Sequence, residues 1–567
     1  MKNFTSYLMK RLSVLAVLFT ACSFTAAAYD FMVDSISYNI IGENEVEVTS
    51  NDSIKVRGEL VLPSTVVHDG VTYQVTRIGR NAFYKCNELT FVAVPEGVTT
   101  LCWFAFASCS SLQYLELPNS LTTIEEHAML GCNSITEFYV PRNLVNIAYN
   151  AFVSFQNVRY YSCSPLNPKY RAVDGLLYSK DMTKLVAYPA ASPATRFDVP
   201  SYVTELYDYC LHNCDNLTEV NIHEGVTALG MNIFSDCDNI ESIYIPDGVT
   251  RMGVTLVSGC KKLSYIHLPA SADSILSSFF YNCPALTEVT IPRNIRYIGT
   301  FAFTDCKNLE TINFEEGSRL NHIDLRAFEN CYALETFNMP DSVIRLGGQI
   351  FGDCTGLKNV HLSNNLQILA GATFYGCDAL TEIEAPGTVT FIGNSAISYC
   401  PSLKRLKIGD KNSTPGVTFI EDCAIGSSCD NLEIMEFGAN VDTLAHAAVS
   451  IPKNLKVFIC WAATPPKTAS YSLSYPGSNT VLYVPRASLE AYRTAPQWSR
   501  FKTIVPIEDV GDVDGNGSVG ISDVTALVDH LLGGETSVST PLADVDIDGS
   551  IGISDVTALV DQILTDH

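Results

Sequence analysis

The sequence predicts a β-rich solenoid, with one short parallel strand and one short helical turn per 23-residue coil, followed by a small all-α module. Three observations carry that expectation. One phrase, V-T-x-I-G-x-x-A-F-x-x-C-x-x-L-x-x-I-x-I-P-x-x, recurs from residue 75 to about 466: residues 75–97 read VTRIGRNAFYKCNELTFVAVPEG, 98–120 read VTTLCWFAFASCSSLQYLELPNS, and 226–248 read VTALGMNIFSDCDNIESIYIPDG. Thirteen cysteines fall at a single phase of that phrase. Residues 508–567 then change character, carrying thirteen Asp or Glu and no Lys or Arg. A coil this short cannot fold alone and buries its apolar side chains against its neighbours, which produces long regular faces rather than enclosed pockets.

Taken in order, residues 1–28 read as a signal peptide. Lys2, Lys10 and Arg11 form a basic start, Leu12 to Phe19 an apolar stretch, and Ala26-Ala27-Ala28 offers small residues for cleavage before Tyr29. The apolar run is too short for a spanning helix, and no later segment reaches membrane length. Leu18-Phe19-Thr20-Ala21-Cys22 resembles a loose lipoprotein box, so secretion and lipid anchoring through Cys22 are both open. Residues 29–74 alternate apolar and polar residues (Ile36, Tyr38, Ile40; Val46, Val48) and are expected to cap the first coil.

Residues 75–466 form the solenoid. Within a coil, L-x-x-I-x-I is the strand, with Leu and Ile inward, and A-F-x-x-C is a helical turn on the opposite side. About fifteen coils spaced by about 4.8 Å span roughly 70 Å. An interruption near 164–200, with Asp174-Gly175 between two alternating runs, predicts a β-hairpin. Residues 467–507, with TVLYVPRASLEAYRTAPQWSRFKTIVPI, read as strand, short helix and strand closing the far end. Residues 508–567 are a separate module.

The net charge of −25 excludes nucleic acid as a natural partner. Nineteen cysteines in an exported chain suggest disulfides, but thirteen of them (Cys86, Cys109, Cys132, Cys214, Cys237, Cys260, Cys283, Cys306, Cys331, Cys354, Cys377, Cys400 and Cys429) form a ladder. Their side chains point inward in parallel, the wrong geometry for a bridge needing facing Cβ vectors. They are expected to be buried thiols donating weakly to backbone, with disulfides left open among Cys102, Cys163, Cys210, Cys423 and Cys460. No C-x-x-C pair suggests zinc.

The repeated phrase, the entry segment YDFMVDSISYNI and the exit segment LYVPRASLEAY resemble the BspA-like leucine-rich repeat family of bacterial surface proteins. That resemblance implies a leucine-rich-repeat solenoid and a role in adhesion to a protein or surface ligand.

The strongest chemical signal lies in the tail. Asp512, Asp514, Asn516, Ser518, Gly520 and Asp523 fall at positions 1, 3, 5, 7, 9 and 12 of a loop with Gly517 at position 6. Asp544, Asp546, Asp548, Ser550, Gly552 and Asp555 repeat the pattern 32 residues later around Gly549. Calcium takes six to eight oxygens from such a flexible loop, so two calcium ions are expected. Side chains serve at positions 1, 3 and 5, a backbone carbonyl at Ser518 or Ser550, water at the glycine, and a bidentate Asp closes each set.

Each loop leads into nearly the same helix, SDVTALVDHLL or SDVTALVDQIL, with no entering helix before it. Two such halves resemble a type I dockerin, which implies a cohesin-like partner on a scaffold or cell surface. The family's contact positions correspond to Ile521, Ser522, Val528 and Asp529 in one half, and to Ile553, Ser554, Val560 and Asp561 in the other. Ile-Ser stands where well-studied dockerins often carry Ser-Thr. The near-identity of the halves implies binding in two orientations related by 180°.

A second candidate face is the outward side of the strands, which carries Phe91, Tyr114, Tyr139, Tyr160, Tyr244 and Tyr265. Such rings anchor protein ligands or stack on sugars; equally, neighbouring rungs stack rings to stabilise the sheet. Nothing supports catalysis: the sequence has no H-E-x-x-H and no G-x-S-x-G, and its G-x-G-x-x-G at residues 515–520 lies inside the first calcium loop. The sequence therefore reads as an exported, non-enzymatic adhesion protein, secreted or at the cell surface, attached through a calcium-loaded dockerin tail. The alternative is a structural or carbohydrate-binding subunit of a polysaccharide-degrading, cellulosome-like assembly.

Overall fold

The computed structural model describes residues 29–51, 55–153, 155–412, 414–534 and 538–565; residues 1–28, expected above to be a signal peptide and including Cys22, lie outside them. The described residues up to Pro193, with Glu205–Asn216, form one compact unit, and Ala194–Thr204 with the chain from Leu217 form another.

The first unit opens on an antiparallel meander of Phe31–Val33, Ile36–Gly42 and Glu45–Thr49, whose last strand pairs in parallel with Val71–Ile78. Tyr38, Val46 and Val48 are buried, whereas Ile40, still paired with Val46 just before a register shift, is exposed. Gly58–Val61 already pairs in parallel with Leu89–Ala93, so the stacked strands begin before the first full copy of the phrase. The expected hairpin is a three-strand meander: Tyr170–Val173, Leu176–Ser179 and Lys184–Ala187. Asp174 (φ 52°) and Gly175 (φ 81°) make its first turn, both in the left-handed region that suits the twist of a tight hairpin. Its third strand pairs in parallel with Glu205–Leu206.

In the second unit the rungs continue in parallel, with Glu219 opposite Ser242 and Ser242 opposite Tyr265. Inward residues alternate with outward ones, as in Glu288–Ile291, where Val289 and Ile291 are buried and Glu288 and Thr290 exposed. The phenylalanines of the phrase stack along the core: Phe280 to Phe303 at 4.8 Å and Phe303 to Phe328 at 5.0 Å between ring centres.

Two features differ from expectation. Each coil carries a second, two-residue strand at V-T-x-I, so Thr100–Leu101 pairs with Thr123–Ile124. The A-F-x-x-C segment is a run of tight turns rather than a helix. Every second amide bonds back three residues (Tyr84 N to Asn81 O, 3.0 Å; Cys86 N to Phe83 O, 3.0 Å), and those between bond to the next coil (Phe83 N to Ala105 O, 2.8 Å; Lys85 N to Ala107 O, 2.9 Å). That alternation puts non-glycine residues such as Asn81, Lys85, Phe104 and Ser108 at positive φ.

The cysteine ladder threads these turns. Cys109 Sγ donates to Phe83 O at 3.1 Å, Cys260 to Phe234 O at 3.0 Å, Cys306 to Phe280 O at 3.0 Å and Cys354 to Phe328 O at 3.0 Å. All eighteen described cysteines are free, and Cys423 alone among them is exposed. Burial pushes the thiols of Cys283 and Cys354 up to about 12, and the thiolate is the reactive form. Under native conditions iodoacetamide is therefore expected to modify Cys423 first, with the ladder thiols protected until denaturant is added. Peptide mass spectrometry of ladder cysteines alkylated as fast as Cys423 would refute this packing.

Toward the C-terminus, Val481–Val484 pairs with Thr503–Pro506, with helix α1 (Leu489–Thr494) between them. Trp498 is fully buried and donates Nε1 to Pro466 O at 3.0 Å. The tail folds as α2 (Ile521–Leu531), α3 (Thr540–Ala543) and α4 (Ile553–Thr565) around a small core of Val513, Ala526, Leu527, Ala543 and Leu559.

Candidate functional site

The two acidic loops are built alike. In the first, Asp523 is fully buried at the start of α2, where its carboxylate accepts from Asp514 N at 3.0 Å and Gly520 N at 2.8 Å. That bond caps the helix and ties both ends of the loop to one side chain. Asp512 accepts from Gly517 N at 2.9 Å, and Asn516 Oδ1 accepts from Ser518 N at 3.0 Å. Asp512, Asp514 and Asp523 bring carboxylate oxygens within 4.8 Å of one another. Asp512 Oδ1 is buried with no hydrogen-bond partner among the described residues. A buried carboxylate oxygen left unpaired is costly, and a cation at the convergence point would satisfy it.

In the second loop Asp555 is also fully buried, accepting from Val545 N at 2.6 Å, Asp546 N at 3.2 Å and Gly552 N at 2.7 Å. Asp544 accepts from Asp548 N at 2.9 Å and Gly549 N at 3.0 Å, and Asp548 accepts from Ser550 N at 2.8 Å. Here Asp544, Asp546 and Asp548 converge within 4.8 Å. Burial, with Asp555 and Asp548 adding like charge, pushes the Asp544 carboxyl up to about 7. A hard, oxygen-seeking cation fits both sets, since the donors are carboxylate and amide oxygens alone. The hydroxyls of Ser518 and Ser550 turn to Asn516 Oδ1 and Asp548 Oδ1, each at 2.6 Å.

The positions flanking the loops stand outward. Ile521 is 79% and Ile553 81% exposed, with Val528 and Val560 exposed one helical face along. Ser522, Ser554 and Asp561 are exposed and Asp529 is half-buried.

The aromatic residues of the array do not form one stripe. In the first unit Phe91 stands opposite Tyr114, whereas Glu137 stands opposite Tyr160 and Tyr139 opposite Ser162. The rings therefore occupy two columns. Phe91 is half-buried; Tyr114, Tyr139 and Tyr160 are about half exposed. The Gly175 turn of the meander lies against the Tyr160 ring, where an added Cβ would come within 2.9 Å of Cδ2. In the second unit Tyr244 stacks on His267 at 4.3 Å, and Tyr265 stands opposite Ser242. Farther along, the outward columns carry charge: Lys407 meets Glu384 at 2.6 Å and Arg405 meets Glu382 at 3.5 Å.

The sequence leaves open whether the tail meets the array, and in the structure it does. Outward residues of the last rungs, Ile434, Val457, Ile459, Tyr483 and Val505, are buried, and Leu542 and Ile547 of the tail pack on them. Tyr483 donates its hydroxyl to Pro541 O at 3.0 Å. The signal present in the sequence was the loss of polar residues at outward positions of VFIC and VLYV.

The model of the BspA type leucine rich repeat region (6 copies) matches residues 70–167, 191–310, 273–404 and 321–456. The chain belongs to the BspA-type leucine-rich repeat family. A dockerin type I domain matches residues 510–564 of it. Such domains bind calcium and imply a cohesin partner, and the two acidic clusters of this BspA-type chain lie within the matched span. A leucine-rich repeat protein from Bacteroides ovatus is 21% identical, with 84% of this chain and 99% of that one covered at a TM-score of 0.42. One from Eubacterium ventriosum is 22% identical over 66% of this chain and 94% of its own, at a TM-score of 0.38. The pneumococcal vaccine antigen PcpA is 13% identical over 84% and 98%, at 0.32. No curated protein matches the chain. Both matched families are binding modules rather than enzymes.

Proposed function

We propose that this chain is an exported, non-enzymatic binding protein. Its repeat array recognises a protein or surface ligand, and its tail, holding two calcium ions, plugs into a cohesin-type partner. In this reading residues 1–28 direct export, residues 29–74 and 467–507 close the two ends of the array, and the mature protein is secreted or held at the cell surface through Cys22. Asp512, Asp514, Asn516 and Asp523 hold one ion, and Asp544, Asp546, Asp548 and Asp555 the other, with the Ser518 and Ser550 carbonyls completing the sets.

The observation that carries the reading is the pair of exposed isoleucines, Ile521 and Ile553, at equivalent places beside the two loops. Apolar side chains this exposed on a small calcium module suit a partner interface. Either half can dock, so single substitutions are expected to leave binding largely intact. The double variant Ile521→Asp/Ile553→Asp is expected to weaken it at least about a hundredfold. Surface plasmon resonance of the full chain against cohesins of the source bacterium, in calcium and then in chelator, checks both. Calcium-independent capture, or a double variant that binds as well as the parent, would sink the proposal. A second reading, glycan stacking on the array, is favoured by the half-exposed rings of Tyr114 and Tyr139.

A further inference from the structure

We propose that the outward face of the last rungs is a built seat for the second calcium loop, so that calcium binding by that loop and its seating on the array form one linked equilibrium, which the first loop does not share. The inference rests on the calcium reading of the two loops and goes beyond it.

The two loops are near copies, and they diverge where the second meets the array. At the fourth position the first loop has Gly515, at φ +72° with nothing within 4 Å of the place a Cβ would take. The second has Ile547 at φ +53°. A β-branched residue in the left-handed region is strained, and in an isolated loop nothing would offset that strain. Here the Ile547 side chain packs against the cluster formed by Ile434, Val457, Ile459, Tyr483, Val505 and Val510.

The sixth position repeats the contrast. Gly517 is open all round, whereas a Cβ on Gly549 would sit 2.8 Å from Lys456 Cδ. The array's side is equally specific. Running along two outward columns, Arg405 gives way to Ile434, Val457 and Val481, and Lys407 to Glu436, Ile459 and Tyr483. Within these two columns charged pairs end and an apolar patch begins; the Lys456–Glu433 pair, at 2.7 Å, lies outside them. Glu436, the charge left inside, is capped by Trp461 Nε1 at 2.8 Å.

Ile547 stands between the ligand positions Asp546 and Asp548, so its anchoring sets the backbone in the middle of the converging set. Any free energy by which seating favours the ligating loop must return as tighter seating when calcium binds. Ile521 and Ile553 both stay exposed in the seated tail, so seating leaves both isoleucines accessible.

The test uses the full chain and calcium alone. Calorimetric titration is expected to resolve two sites. Ile459→Lys, which places on the seat the residue type that the same column carries at Lys407, should weaken one site about tenfold and leave the other unchanged. Ile547→Gly, which copies the first loop's residue, should do the same from the tail side. Hydrogen exchange across residues 541–549 in saturating calcium should be faster in both variants than in the parent. Calcium affinities indifferent to Ile459→Lys would overturn the linkage and leave the metal reading standing. A full chain that binds no calcium would overturn both.

Discussion

Replacing Asp523 and Asp555 with Ala is expected to unfold the tail while the repeat array stays folded. Each carboxylate is fully buried and holds its loop closed by accepting two or three backbone amides. Bonds of that charge-assisted kind contribute about 1.5–3 kcal/mol each, and their loss leaves buried N–H groups unpaired. The tail has little in reserve. Its core is five buried side chains, and modules this small usually need a metal or another staple. In the proposed reading the substitutions also remove the closing ligand of each calcium set. Scanning calorimetry of the full chain in calcium should show a minor transition that vanishes in the double variant, with the main transition in place. A minor transition that persists within a few degrees would show that these carboxylates do not hold the tail together.

The second large effect is expected at Phe303. Its ring is fully buried between Phe280 and Phe328, and its amide and carbonyl join adjacent coils through Ala327 O at 2.7 Å and Cys331 Sγ at 3.2 Å. Phe303→Ala opens a cavity on both sides, for which about 3–5 kcal/mol is the usual cost. Coils contact only their neighbours, so the damage should localise. Hydrogen exchange is expected to accelerate across residues 280–331 well before the coils beyond. Urea unfolding that loses less than about 1 kcal/mol would mean the neighbouring rings close the gap.

Much of this molecule is legible in one dimension because both its parts are periodic. The 23-residue phase puts Cys260, Cys283 and Cys306 at one place in successive coils, and the structure finds each thiol on a carbonyl of the preceding coil. Alternation within L-x-x-I-x-I likewise tells inward Val289 from outward Glu288. The turns were less legible. Phe104, Thr255, Arg326 and Gln349 all take positive φ without being glycine. No local propensity asks for this; the bonds from each turn to the next coil impose it. The alternation names the outward aromatic residues, and the register between strands then assigns each to one of the two outward columns.

The sequence by itself determined the coil, the inward and outward faces of its L-x-x-I-x-I strands and the spacing of the acidic residues in the tail, because those follow from periods of two and 23 residues and from fixed offsets within a loop. Only the tertiary structure decided what covers Ile434, Val457, Ile459 and Tyr483. A strand pattern says that a side chain faces out, and it cannot say that Leu542 and Ile547, some sixty or more residues downstream of these rungs, lie against it. Burial between distant segments is set by which surfaces the chain brings together in space, and no local period encodes it.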